Sequence, residues 1–465
     1  MWSGRFRQPL DPEFERWQRS FDFDRRLLRY ELAASGAHAR ALKNAGVLTA
    51  DELITILDGL KRIGERAAAS LSYLEDDEAE DVHHFVEKQL AALIGDLGYK
   101  LHSGRSRNEQ IATDLRLYVR AAIDQLRHEL AEVCVTFTDR AEQAADAAMP
   151  AYTHLQRAEP VLVAHWLLAF VEMFLRDADR LADCRKRLNV CPLGSGAVAG
   201  ATLPLDRGFM AETLEFDAPT ANSIDATSDR DFVIEFVGVL SLLAVHLSRW
   251  AEEMIILSSE QYGFVALPEP YSTGSSAMPQ KKNPDLLELV RGKTGRVIGA
   301  ATSLLITVKG LPLAYNKDLQ ETQEPLFDAS DTLLQMLPLV VGWMKAVVFD
   351  SDRMQQAAQS GFMNAWSAAT YLVLRGVPSR LAHERIGKAV QICIEKGCEL
   401  QDLPLEELQS LSPAFDQDFY QSLKLSSVLA IHDVPGGTAP ARVRQAISVT
   451  RKRIDSLREE VHAHA

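Results

Sequence analysis

Cysteine is scarce in this chain and follows no pattern. The five, Cys134, Cys184, Cys191, Cys393 and Cys398, are odd in number and contain no C-x-x-C pair. That excludes a disulfide framework and fits free thiols in a reducing cytoplasm. Positive charge is also in deficit: 64 Asp and Glu against 50 Lys and Arg give a formal net charge of -14. Such a field attracts neither a nucleic-acid backbone nor an anionic lipid surface, so no nucleic-acid and no membrane partner is expected. Residues 1–7 lack an apolar segment behind their basic residues, which argues against a secretory signal. Uninterrupted apolar runs are missing too. The longest, 161–175 and 232–247, are broken by His165 and Glu172 and by Glu235 and His246. They read as core helices of a bundle or of a subunit contact. Period-two alternation is rare, leaving a mostly α chain with long central helices.

Against these absences stands one chemically rich stretch, 271–284, YSTGSSAMPQKKNP. Gly274, Ser275 and Ser276 give a flexible backbone with two hydroxyls, and Lys281 and Lys282 add cations. Asn283-Pro284 reads as cap and first residue of a following helix. Hydroxyls, N–H groups, a lysine and a helix start suit a carboxylate or an enolate-like anion. A second loop, 102–110, carries Arg105, Arg107 and Asn108. It feeds a periodic segment from 111 to about 149, long enough for roughly 50 Å of helix. Pro150 is expected to end that helix and Pro160 to begin the next, leaving 152–159 as a connection. His154 there titrates near neutrality and could act as general acid or base.

Three other signals fail. The acids of 75–81 precede His83 and His84, but adjacent histidines cannot share a helix face and no ligand spacing is present. The stretch reads as a solvated helix start, with no metal expected. The 194–200 segment, GSGAVAG, has its third glycine one residue late for a dinucleotide fingerprint and lacks a clean strand before it. Gly292-Lys293-Thr294 lacks the first glycine of a phosphate loop and lies in a helical pattern.

Several blocks together, in order along the chain, resemble the fumarase/aspartase superfamily and, within it, the argininosuccinate lyase family, whose relatives include the delta crystallins. They are GSSxMPxKxN at 274–283, SGRSRN at 103–108, THLQ at 153–156, MWxGRF at 1–6, SDRDF at 228–232, YNKDLQE at 315–321 and GGTAP at 436–440. The resemblance implies three regions: an N-terminal helical domain at 1–110, a central long-helix bundle at 111–350 and a C-terminal helical domain at 351–465. It further implies a cytoplasmic homotetramer with a common helical core, active sites shared between subunits, and neither metal nor organic cofactor.

The implied reaction is anti elimination from argininosuccinate, giving arginine and fumarate in arginine biosynthesis. By residue-wise resemblance Ser275 is the base, Lys281 stabilises the developing aci-carboxylate, and Glu288 orients His154, which either protonates the departing nitrogen or organises the site. Ser106, Asn108, Thr153 and Asn283 match residues that bind substrate carboxylate, and Ser20, Asp24, Tyr315 and Gln320 match those holding the arginine half. Arg105, Arg107, Arg230 and Lys317 supply positive potential or internal pairing. Departures from the family pattern at Gln323, Glu31 and 365–367 fall on the amine half. They leave two alternatives: a same-fold lyase for another N-substituted aspartate, and an inactive crystallin-like protein.

Overall fold

The computed structural model describes residues 7–463. The MWxGRF block therefore lies outside the described residues, Arg7 apart. Among them the chain is 69% helical. Its principal helices are α1 (Leu28–Asn44), α2 (Ala50–Ala69), α3 (Val82–Ile94), α4 (Arg107–Ala144), α5 (Val163–Leu188), α6 (Asp231–Ser258), α7 (Asp285–Val308), α8 (Gln323–Ala346), α9 (Ser379–Lys396) and α10 (Pro440–His462). Local signals account for several ends. Thr49 caps α2 in a reciprocal capping box with Glu52, and Asp81 caps α3 by accepting from His84 N. Pro338 lies inside α8.

The sequence misplaced the ends of the longest helix. At 38 residues α4 is roughly 57 Å long. It starts four residues before the expected 111 and stops at Ala144, where Ala145 turns to φ +47°. Pro150 does not end it. Residues 148–162 form instead an antiparallel hairpin of β1 (Ala148–Thr153) and β2 (Gln156–Leu162), with Pro150 paired to Pro160. Prolines are tolerated because a two-stranded ladder is all edge. A shorter hairpin, β3 (Thr273–Gly274) with β4 (Lys282–Asn283), closes the 271–284 stretch before α7 begins at Asp285.

By internal contacts the chain forms two compact units, each of three segments: Met1–Leu126, Asp179–Leu242 and Gly295–Leu333 in the first, and Arg127–Ala178, Leu243–Thr294 and Leu334–Ala465 in the second. In the first, Phe21 stacks on Phe85 at 5.0 Å, and Tyr118 lies edge-on to both Tyr30 and Phe327. In the second, Phe137 packs against Phe170, Phe174 and Trp250, and Trp250 meets Trp343 at 5.3 Å. A further core around Phe415 and Phe419 joins α9 to the segments after it. Among the described helices only α6 is long and apolar enough to cross a membrane, and just half of its most apolar window is buried within the chain. Its charged interruptions have partners: Glu235 pairs with Arg187, and His246 Nδ1 lies 2.6 Å from buried Asp177.

Candidate active site

In the second unit the β3–β4 hairpin carries Ser275 as the first residue of its connecting loop, directly after β3. Asp285, the first residue of α7, accepts from Thr273 N at 2.9 Å and Thr273 Oγ1 at 2.7 Å, pinning the base of the loop. Ser275 Oγ accepts from the backbone N–H groups of Ala277 and Met278 at 3.3 and 3.1 Å. Two donors aimed at one hydroxyl oxygen lower the cost of negative charge there, which a serine base requires. The two lysines divide in role. Lys282 Nζ is tied back to Leu267 O at 3.3 Å, with Glu269 3.7 Å away, whereas exposed Lys281 makes no side-chain hydrogen bond or ion pair with the described residues. Asn283 Nδ2 reaches Gly274 O at 3.5 Å, and Glu288 is exposed on the first turn of α7.

Thr153 and His154 sit at the tip of the β1–β2 hairpin. Thr153 pairs with Gln156, so His154 and Leu155 form a two-residue turn with φ of +56° and +57°. Such turns favour Asn-Gly, and a side chain in the left-handed region costs about 1–2 kcal/mol. Strain of this kind collects where function holds a residue in place. Arg157 steadies the hairpin by donating to Ser360 Oγ at 3.0 Å, and Thr438 Oγ1 of the GGTAP block accepts from Leu162 N at 2.8 Å. Among the described residues no hydrogen bond or ion pair joins His154 to Glu288, or either of them to Ser275 or Lys281.

In the first unit the residues expected around the arginine half do gather. Ser20 Oγ donates to Asp24 Oδ2 at 2.6 Å and Val82 N donates to Asp24 Oδ1 at 3.0 Å, both within the core. Burial, reinforced by neighbouring Asp81, pushes the Asp24 carboxyl up to about 7. Ser20 N donates to Glu80 O, Lys317 Nζ lies 3.5 Å from Glu80, and Gln320 Nε2 donates to Gln18 O at 3.0 Å. Tyr315 lies near Arg230, its hydroxyl pushed up by burial. The Ser106 loop joins this group through Arg107, whose Nε is 3.3 Å from Asp81. Within that loop Asn108 N donates to Ser106 Oγ at 3.3 Å.

The four cations expected to supply positive potential or internal pairing, Arg105, Arg107, Arg230 and Lys317, all have internal contacts. Arg105 donates to Ser35 Oγ at 2.8 Å, and fully buried Arg230 donates to Asp229 O at 2.7 Å, in addition to the Arg107 and Lys317 pairs. Burial pulls the Arg230 guanidinium down to about 10. At the divergent positions, Gln323 is buried with Oε1 unpartnered, and Trp366 is exposed.

Sequence reasoning missed a buried network. His83 is part of the core, contrary to the solvated helix start expected for its segment: its Nδ1 lies 2.9 Å from Glu31 and 3.6 Å from Asp114. These three donors, from α1, α3 and α4, fall within 4.8 Å of one another and could hold a metal by geometry. The Arg105 guanidinium, 3.8 Å from Glu31, already supplies a cation there. Burial alone would raise the Glu31 carboxyl, but His83 and Arg105 outweigh it and hold it low, while burial and the Glu31 charge push Asp114 up. No sequence spacing could reveal a group assembled from positions 31, 83, 105 and 114.

Comparison with known proteins agrees with this architecture. A Lyase family profile matches residues 4–299, and an argininosuccinate lyase C-terminal profile matches 362–430. The argininosuccinate lyase of Koribacter versatilis is 57% identical over 100% of both chains. That of Acidobacterium capsulatum is 59% identical over 98% of this chain and 95% of its own. The solved structure of an EDDS lyase in complex with formate superposes with a TM-score of 0.86 at 27% identity, covering 98% of this chain and 92% of its own. On these matches the chain belongs to the argininosuccinate lyase family and is a carbon–nitrogen lyase.

Proposed function

We propose that the protein cleaves argininosuccinate to arginine and fumarate, serving arginine biosynthesis in the cytoplasm. Full-length identity of 57% to an argininosuccinate lyase carries this reading. In the mechanism, Ser275 acts as its alkoxide, stabilised by the Ala277 and Met278 N–H groups, and its Oγ takes the proton beside a substrate carboxylate to return to the hydroxyl. The electron pair moves into an aci-carboxylate that the unpaired Lys281 ammonium stabilises. The C–N bond then breaks toward the guanidino nitrogen, which gains a proton from His154 or from another donor that His154 organises. Ser106, Asn108, Thr153 and Asn283 bind the carboxylates of the fumarate half. Ser20, Asp24, Tyr315 and Gln320 hold the arginine half, and the buried carboxyl pair of Asp24 and Asp81 suits a guanidinium.

The protein works as a homotetramer in this reading, with each active site shared between subunits and the 111–350 region supplying the common core. Two observations support it. The face of α7 carrying Ile298, Leu305 and Ile306 is exposed, and Gly292, Gly295 and Gly299 beside these positions have open space where a Cβ would be. Within one chain, moreover, His154 has no hydrogen bond to the residues it is expected to serve, so a loop of another copy completes the constellation.

The test is a substrate panel read by fumarate absorbance without added metal. Argininosuccinate is expected to be the preferred substrate. Turnover of another N-substituted aspartate, with none of argininosuccinate, overturns the assignment.

A further inference from the structure

The glycine-rich 194–200 segment, whose glycine spacing does not match the dinucleotide fingerprint, is joined to the Ser106 loop by a buried carboxylate. Glu109, on the first turn of α4, is fully buried. Its Oε1 accepts from Ser106 N at 3.0 Å and its Oε2 from Gly196 N at 2.9 Å. Burial pushes this carboxyl up, and the two N–H groups oppose that shift. Gly196 has φ +62°, and a Cβ there would lie 2.7 Å from Gly200 O, so this position requires glycine. The loop is closed on itself by Gly200 N donating to Ser195 O and Ala201 N donating to Gly194 O, at 2.9 and 3.0 Å. A second tie runs alongside the carboxylate bridge, from Asn108 Nδ2 to Ala197 O at 3.4 Å.

Counting donors gives this clamp a purpose. Ser106 Oγ accepts from Asn108 N, which leaves its own O–H free to donate. The Asn108 amide spends one N–H on Ala197 O and keeps the other. Two donor hydrogens are thereby left, fixed relative to each other by groups behind them, which is what a substrate carboxylate needs. We propose that Glu109 is a positioning residue that sets Ser106 and Asn108 for the fumarate half of the substrate, and that the 194–200 loop forms the wall of that subsite. The inference rests on the lyase reading.

Glu109→Gln tests it. The amide keeps the shape but turns an NH2 toward one of the two N–H donors, so one bridge is lost. With argininosuccinate, KM is expected to rise about tenfold while kcat changes less. Calorimetric binding of fumarate should weaken by the same factor, with arginine binding unchanged. A second variant, Ala197→Asp, alters an exposed position and places beside Asn108 a negative charge that repels the substrate carboxylate; it should weaken fumarate and spare arginine. Fumarate binding equal to the parent's in either variant overturns the inference, as does an equal loss of both products in Glu109→Gln, which marks general loosening. A parent protein that does not release fumarate from argininosuccinate instead overturns the lyase reading, and this inference with it.

Discussion

At the scale of single residues, the proposed chemistry turns on an oxygen that is ordinarily a poor base. Ser275→Ala removes the Oγ that Ala277 and Met278 hold, leaving the hairpin closed by Asp285 and Thr273. Turnover is expected to fall by at least about 10²–10⁴-fold, with helical circular dichroism and assembly size unchanged. Full activity in this variant, followed as fumarate absorbance, would exclude Ser275 as the base. Asp24 offers a stability test of a different kind. Its folded carboxyl titrates near 7 because of burial and Asp81, well above the ordinary 3.8. Between those two values the folded state binds the extra proton, so stability is lost as pH rises through the window and is level above it. Asp24→Asn mimics the protonated form. Relative to the parent, its urea midpoint should be similar near pH 4, should gain steadily up to about pH 7, and should hold that gain at pH 8. A difference independent of pH would show that Asp24 is ionised throughout. Ser275 was singled out in the sequence because it stands in a local block, whereas Asp24, outside every such block, was named only by residue-wise resemblance. Asp81, His83 and Asp114 were not legible: their roles depend on partners far away in the chain.

At the scale of elements, helices were read well and the hairpins poorly. Apolar periodicity located the body of α4, since it is a property of adjacent turns. Pro150 and Pro160 looked like helix boundaries because proline forbids helix interior, yet the same property permits an edge strand, and the sequence does not choose between them. The real stop of α4 is Ala145, a residue with no turn signature held at φ +47° and exposed. Ala145→Gly removes that strain and should stabilise the protein by about 1 kcal/mol in urea unfolding. The His154-Leu155 turn makes a sharper test. Leu155→Gly relieves a left-handed φ of +57° at an exposed position, so stability should again rise by about 1 kcal/mol. Turnover should nevertheless fall, because a turn eased in this way no longer holds the neighbouring imidazole in one orientation. Unchanged turnover with higher stability would show that the strain serves no catalytic purpose.

At the scale of the molecule, two of the central helices leave apolar surface uncovered within the chain. Helix α6, with its run of Val, Leu and Ile, is half covered in its most apolar window, and one side of α7 presents Ile298, Leu305 and Ile306 to solvent at 42 to 57% exposure. Scattered exposed leucines are ordinary, but several on one helix beside uncovered glycines make a face that another helix can approach closely. The proposed roles make the same demand, since among the described residues neither His154 nor Ser275 has a hydrogen bond or ion pair to the other, to Lys281 or to Glu288. Assembly and activity should therefore fail together. Sedimentation equilibrium of the parent should give four chains, and Leu305→Asp with Ile306→Asp, which bury charge in the contact, should yield smaller species. Those species should keep their helical content and lose turnover. Mixing Ser275→Ala with His154→Asn chains, after dissociation and reassembly, carries the argument further: each inactive parent lacks a different group, so sites that draw Ser275 and His154 from different copies recover a fraction of the activity. Sites that take both from one chain recover none.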